Sequence, residues 1–87
     1  MNVIERQEIA KTLRMVSRDL FQVSEIGETI WIESMDNLNV MCYITIYDGK
    51  YMIVYKGGLN DLIFHTKNQL IRYIKKDFVS DLVAGLI

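Results

Sequence analysis

The chain has 87 residues, 51% of them hydrophobic, and ten Lys and Arg against eleven Asp and Glu give a net charge of -1. That length suits one small domain, and the apolar content is too high for a disordered segment. Near-neutrality excludes a strongly basic nucleic-acid binder and a heavily acidic nucleic-acid mimic, but leaves room for a local patch. A core this small only just outweighs its conformational entropy, so self-association is a natural way to widen the margin. The single cysteine, Cys42, cannot form an intramolecular disulfide or a thiolate cluster for zinc. Its place in an apolar run makes it a buried small hydrophobe. The first residues lack the apolar core of a signal peptide, and no apolar run approaches the ~18 residues of a membrane span. The expected compartment is a reducing cytoplasm.

From Val3 to about Gln22 the chain reads as an amphipathic helix. Ile9, Leu13, Val16 and Leu20 recur at spacings of four, three and four. Glu5 and Glu8 lie in its early turns and Arg14 and Arg18 in its late ones, as the helix dipole prefers. Ser24 to Gly27 breaks the pattern. Glu28 to Met35 then reads as a strand, with Ile30 and Ile32 on one side and Trp31 and Met35 on the other. A turn follows at Asp36 to Asn39. A three-residue loop with Asn39 left-handed would pair residues whose numbers sum to about 76, Ile32 with Ile44 and Ile30 with Ile46.

Val40 to Tyr55 is the clearest stretch, two strands folded back on an Asp48-Gly49 turn of type I′. Its two-residue loop pairs residues whose numbers sum to about 97, such as Ile44 with Ile53 and Cys42 with Tyr55. Alternation then makes one face of Cys42, Ile44, Ile46, Tyr51, Ile53 and Tyr55, which is core. The other face carries Met41, Tyr43, Thr45, Tyr47, Lys50, Met52 and Val54. Lys56 to Leu59 is another turn signal, and Asn60 to His65 is a candidate fourth strand whose Leu62 and Phe64 join the aliphatic face. Thr66 to Gln69 has the form of a capping box. Leu70, Ile74, Phe78 and Leu82 extend the helix it starts from about Lys67 to Ala84, with a bend near Asp77 to Ser80. Gly85 stops it, leaving Leu86 and Ile87 as an apolar tail that docks on its own core or swaps into a dimer. The resulting class is α+β, an antiparallel meander of three or four strands with a helix at each end, α-β-β-β-(β)-α. If both helices pack on one face, it has two layers.

No constellation carries catalytic chemistry. His65 is the only histidine and lacks an evident partner. Glu28 and Glu33, five apart, fall on opposite faces of their strand and make no acid–base pair. Gly57-Gly58 lacks the flanking pattern of a phosphate cradle. An enzyme is not expected, nor a cofactor or metal. The α-β-β-β-α order and the size resemble those of some small phage accessory proteins, including certain anti-CRISPR inhibitors. The likeness is one of layout, and it implies a mobile-element origin.

Two surfaces remain. Trp31, Met35, Met41, Tyr43, Tyr47 and Met52 put aromatic and methionine side chains on the second sheet face, with Val54 beside them. Such a patch has the composition of a protein interface if it is left open, with Glu33, Lys50 and Lys56 as its rim. If the second helix crosses to that face, it is core instead. Lys11, Arg14 and Arg18 form a basic stripe on the first helix, the alternative contact for nucleic acid. The expectation is a small non-enzymatic module, adaptor or inhibitor, that binds another protein or a second copy of itself through the aromatic face.

Overall fold

A computed structural model of the chain describes residues 1–57 and 61–84. Its elements run α1 (Val3–Ser17), β1 (Phe21–Ile26), β2 (Thr29–Ser34), β3 (Val40–Tyr47), β4 (Lys50–Tyr55), β5 (Leu62–Phe64) and α2 (Lys67–Tyr73). A π-helical turn at Ile74–Phe78 and α3 (Val79–Ala84) complete them. The strands form one antiparallel sheet in the order β1-β2-β3-β4-β5, a meander with a helical segment at each end. The Cα radius of gyration, 11.7 Å, is that of a compact chain of this length.

The expected architecture is present with one strand more than the sequence reading foresaw. The first helix stops at Ser17, not near Gln22, and Phe21 opens β1. Arg18 and Asp19 take left-handed backbone, with φ of 45° and 67°. The Ser17 hydroxyl donates to the Phe21 carbonyl at 2.6 Å and accepts from its N–H at 3.2 Å, so the bend satisfies its own backbone. β1 and β2 are then joined by Gly27-Glu28. Gly27 has φ +60° and leads the pair, as a two-residue type II′ hairpin requires.

Between β2 and β3 the register differs from the expected one by two residues. Ile30 faces Ile44, Trp31 faces Tyr43 and Ile32 faces Cys42, and a bulge lies between Ile32 and Glu33. The loop is longer than three residues, and Leu38 (φ 58°), not Asn39, is its left-handed position. Asn39 is held instead by its N–H donating to Asn37 Oδ1 at 3.0 Å. Up to the bulge the slip is even, so Ile30, Trp31 and Ile32 keep their expected faces. The Asp48-Gly49 hairpin has the expected pairing throughout, with both residues at positive φ (51° and 72°). A Cβ added at Gly49 meets nothing within 4 Å, so Gly49→Ala should cost backbone strain alone, about 1–2 kcal/mol. The denaturant midpoint of the variant checks that figure.

β5 begins at Leu62 and sets Leu62 opposite Ile53 and Phe64 opposite Tyr51, on the aliphatic face as expected. The expected turn and strand start at Gly58, Leu59 and Asn60 lie outside the described residues, as do the Gly85 stop and the Leu86-Ile87 tail. The capping box is formed. Thr66 Oγ1 accepts from Gln69 N–H at 3.1 Å, and Gln69 Oε1 accepts from Thr66 N–H at 3.3 Å. The helix it opens is irregular at Ile74–Phe78, slightly earlier than the expected bend. Each step of four residues overshoots a full turn by about 40°. A wider turn takes up that drift and lets Leu70, Ile74 and Phe78 all face inward, each no more than 1% exposed.

The core lies between the helices and one sheet face. Ile9 and Leu13 from α1 and Leu70, Ile74 and Phe78 from the C-terminal helical run pack against Ile30, Ile32, Cys42, Ile44, Ile53 and Tyr55. Phe21 and Phe78 meet edge to face at 5.7 Å. Both helical segments thus sit on the inner face, giving two layers. Polar contacts tie the rim of the helix layer to the sheet and to itself. The Tyr51 hydroxyl donates to Glu5, and Lys67 pairs with Glu8 at 2.8 Å.

Candidate functional site

Alternation decides what the outer face presents. The register places its residues in rows that cross the strands. One row is Trp31, Tyr43 and Val54, and the next is Thr29, Thr45, Met52 and Ile63, with Ile26 of β1 beside Thr29. Trp31 and Tyr43 are half-buried and stack at 5.0 Å between ring centroids, tilted by 41°. The contact follows from their being direct cross-strand partners, whose side chains stand side by side. Thr29 and Thr45 approach to 3.5 Å through their hydroxyls. Tyr47 stands 66% exposed at the hairpin end of β3. Among the described residues, no helical segment covers this face.

Of the six residues expected there, Trp31, Tyr43, Tyr47 and Met52 share the face. Met41 and Met35 stand apart from them. Met41 sits at the bulge of the β2–β3 pairing and packs against the edge of the core. Met35 has left the strand and lines a shallow groove with Arg18, Phe21 and Gln22 near the end of α1. Ile26 and Ile63 belong to the face and are well exposed. Ile26 was not foreseen because its strand was not, although Gly27-Glu28 between Ile26 and Thr29 is a hairpin signature. Glu33 lies at one end of the face, its carboxylate accepting from the Ser24 hydroxyl at 2.6 Å.

The basic stripe of α1 is broken up. Arg14 turns to the sheet edge, pairing with Glu25 at 3.0 Å and donating to the Val23 carbonyl at 3.1 Å. Arg6 grips the same carboxylate at 3.2 Å and also donates to the Gly27 carbonyl. Burial works to raise the Glu25 carboxyl, but hydrogen bonds and charge from Arg14 and Arg6 outweigh it and hold Glu25 below the usual carboxylate range. Lys11 is exposed on α1. Arg18 lies across from Lys75 and Lys76, which line a shallow groove of about 310 Å³ with Met15, Val16 and Val79.

Several other groups that could carry chemistry are buried or hydrogen-bonded within the fold. Cys42 is fully buried, and burial pushes its thiol up to about 12, so it holds its proton near neutral pH. Tyr51 is likewise pushed up to about 12 by burial and by the Glu5 carboxylate it donates to. Tyr55 buries its hydroxyl without a hydrogen-bond partner among the described residues, and Tyr73 donates to Asp81 at 2.6 Å. His65 offers its backbone N–H to Gln69 Oε1 at 3.0 Å. A groove of about 340 Å³ beside Phe64 and Tyr73 is lined by Arg72, Lys76 and Asp77 and does not include His65. Among the described residues, no three His, Cys, Asp or Glu are grouped to hold a metal ion, and no helix is long and apolar enough to cross a membrane. No family model matches the chain, and neither a curated protein nor a solved structure does.

Proposed function

We propose that the protein works by binding another protein through its outer sheet face, as an adaptor or inhibitor and without catalysing a reaction. What carries the reading is the stacked Trp31–Tyr43 pair, held half-exposed on a sheet face that the described helical segments leave uncovered. Tryptophan and tyrosine are the side chains that most often anchor a protein contact, because they desolvate a large area with little loss of rotamer freedom. Met52 and Val54 surround the pair with apolar surface that adapts to an incoming shape. Glu33, Lys50 and Lys56 supply the polar rim.

Trp31→Ala should weaken association with the partner by about 2 kcal/mol or more, roughly thirtyfold. The comparison is retention of a partner from host extract by the wild type, by Trp31→Ala, and by Met15→Ala on the opposite layer. Loss confined to Trp31→Ala, with an unchanged thermal midpoint, supports the face. Unfolding of Trp31→Ala would make the residue part of the core and remove the site.

A further inference from the structure

We propose that the occupant of the outer face is a second copy of this chain, packed sheet on sheet about a twofold axis that runs along β3. The inference rests on the reading of that face as a protein contact. Its basis is where the strands carry charge. β2 carries an acid on the outer face near its exit, Glu33. β4 has a base at each end, Lys50 at its start and Lys56 just beyond Tyr55. β3 lies between the two strands.

A twofold along β3 lays β2 of one copy over β4 of the other and keeps the rows level. Glu33 pairs with Val40, while the Lys56 N–H donates to the carbonyl of neighbouring Met41, so Glu33 and Lys56 share a level. Lys50 pairs with Tyr47 at the hairpin end, the opposite end of β4 from Lys56. Glu33 therefore meets the second copy's Lys56, a contact that occurs twice. The other in-plane twofold, running across the strands, turns β2 end for end onto β2 and β4 onto β4. It sets Lys50 against Lys56, a like-charge contact, and leaves Glu33 with no base opposite it. Charge favours the first axis and opposes the second.

The apolar surface agrees with that choice. Ile26 on β1 is 65% exposed and Ile63 on β5 is 55% exposed. They lie in one row, each two strands from β3, so the axis brings Ile26 of one copy over Ile63 of the other. Tyr43 meets its own equivalent at the centre, and Trp31 covers Val54. Sheets that pack face to face align within about 30°, which preserves these contacts near the axis. Four strand spacings of about 4.8 Å by six residues of about 3.4 Å give a flat footprint of about 400 Å² per copy. Side-chain relief enlarges it, yet it stays at the small end against the ~800 Å² per partner of a standard interface. A footprint of that size suits a weak, reversible dimer.

Sedimentation equilibrium from about 1 μM to about 1 mM spans the range such a dimer needs, and the lone tryptophan, Trp31, reports the same change by its fluorescence. The expected result is dimer mass at the upper end and a blue-shifted emission that reverts on dilution. Glu33→Lys and Lys56→Glu should each weaken the dimer at least tenfold, and a mixture of the two variants should dimerise where neither does alone. Circular dichroism confirms the fold of every variant. A wild type that stays monomeric at the highest concentration overturns the proposal while leaving the face open to a different protein. A dimer unaffected by the charge reversals, or not restored by mixing, overturns the axis. A dimer that survives Trp31→Ala intact places the contact off this face and overturns the proposal, while the extract comparison with Trp31→Ala still decides the face itself.

Discussion

Phe78→Ala is expected to lower the free energy of unfolding by about 3–5 kcal/mol, the range for a large aromatic removed from a packed core. Phe78 is fully buried and closes the π-helical turn. Its ring meets Phe21 edge to face and lies 6.3 Å from Tyr73, so its loss leaves a void bordered by α1, β1 and the C-terminal helical run. A domain of this size holds only a few kcal/mol in reserve, and the variant should be largely unfolded at room temperature. A urea titration followed by circular dichroism reads the shift. Val83→Ala, on α3 at 69% exposure, is the control and should move stability by no more than about 0.5 kcal/mol. A Phe78→Ala midpoint as close to wild type as that of the control would show that the π-helical turn does not anchor the core.

The second large effect is expected at Glu25. Its carboxylate is 18% exposed and accepts from both Arg6 and Arg14. Glu25→Gln keeps the shape but removes the charge that both guanidiniums face, and should cost about 1.5–3 kcal/mol. A pH series separates this from simple packing loss. The folded protein holds Glu25 below its ordinary value. Its contribution is therefore complete above the unfolded carboxyl pKa of 4.5 and is lost as pH falls through the lower folded value. The wild type should lose stability as it is acidified below that point, and Glu25→Gln should lose less over the same interval. Some acid sensitivity remains in the variant, since the hydrogen bond from Tyr51 lowers Glu5 as well. Parallel pH profiles for the two proteins would mean that the arginines do not act on Glu25 as described.

What the sequence made legible was what local chemistry determines. Asp48-Gly49 sets a two-residue turn, and a two-residue turn leaves one register for its strands. Thr66 and Gln69 satisfy each other's backbone over three residues, which marks the start of the helix that follows. β1 was hidden because Val16, Leu20 and Phe21 continue a helical spacing past the point where the helix ends. Its stop is made by the Ser17 hydroxyl and two left-handed residues that are not glycine, and no glycine or proline marks the place. The fate of Arg14 was hidden for the same reason, since its partner Glu25 lies on that strand. The outer face was legible as a set because alternation survives an even slip in register. Only Met41 and Met35, at a bulge and past a strand end, escaped the alternation that placed Trp31, Tyr43 and Met52.

The hydrogen bond from Tyr73 to Asp81 spans eight residues, a separation that an unbroken α-helix would leave about 80° out of phase. The intervening segment closes on i→i+5 bonds and so accommodates one residue more per turn. Subtracting that residue gives an effective interval of seven, about 20° from alignment, and phenol and carboxylate come onto the same side. The bond therefore works as a local latch on the wider turn: while it is made, the strand of helix beyond Phe78 cannot rewind without pulling the two groups apart.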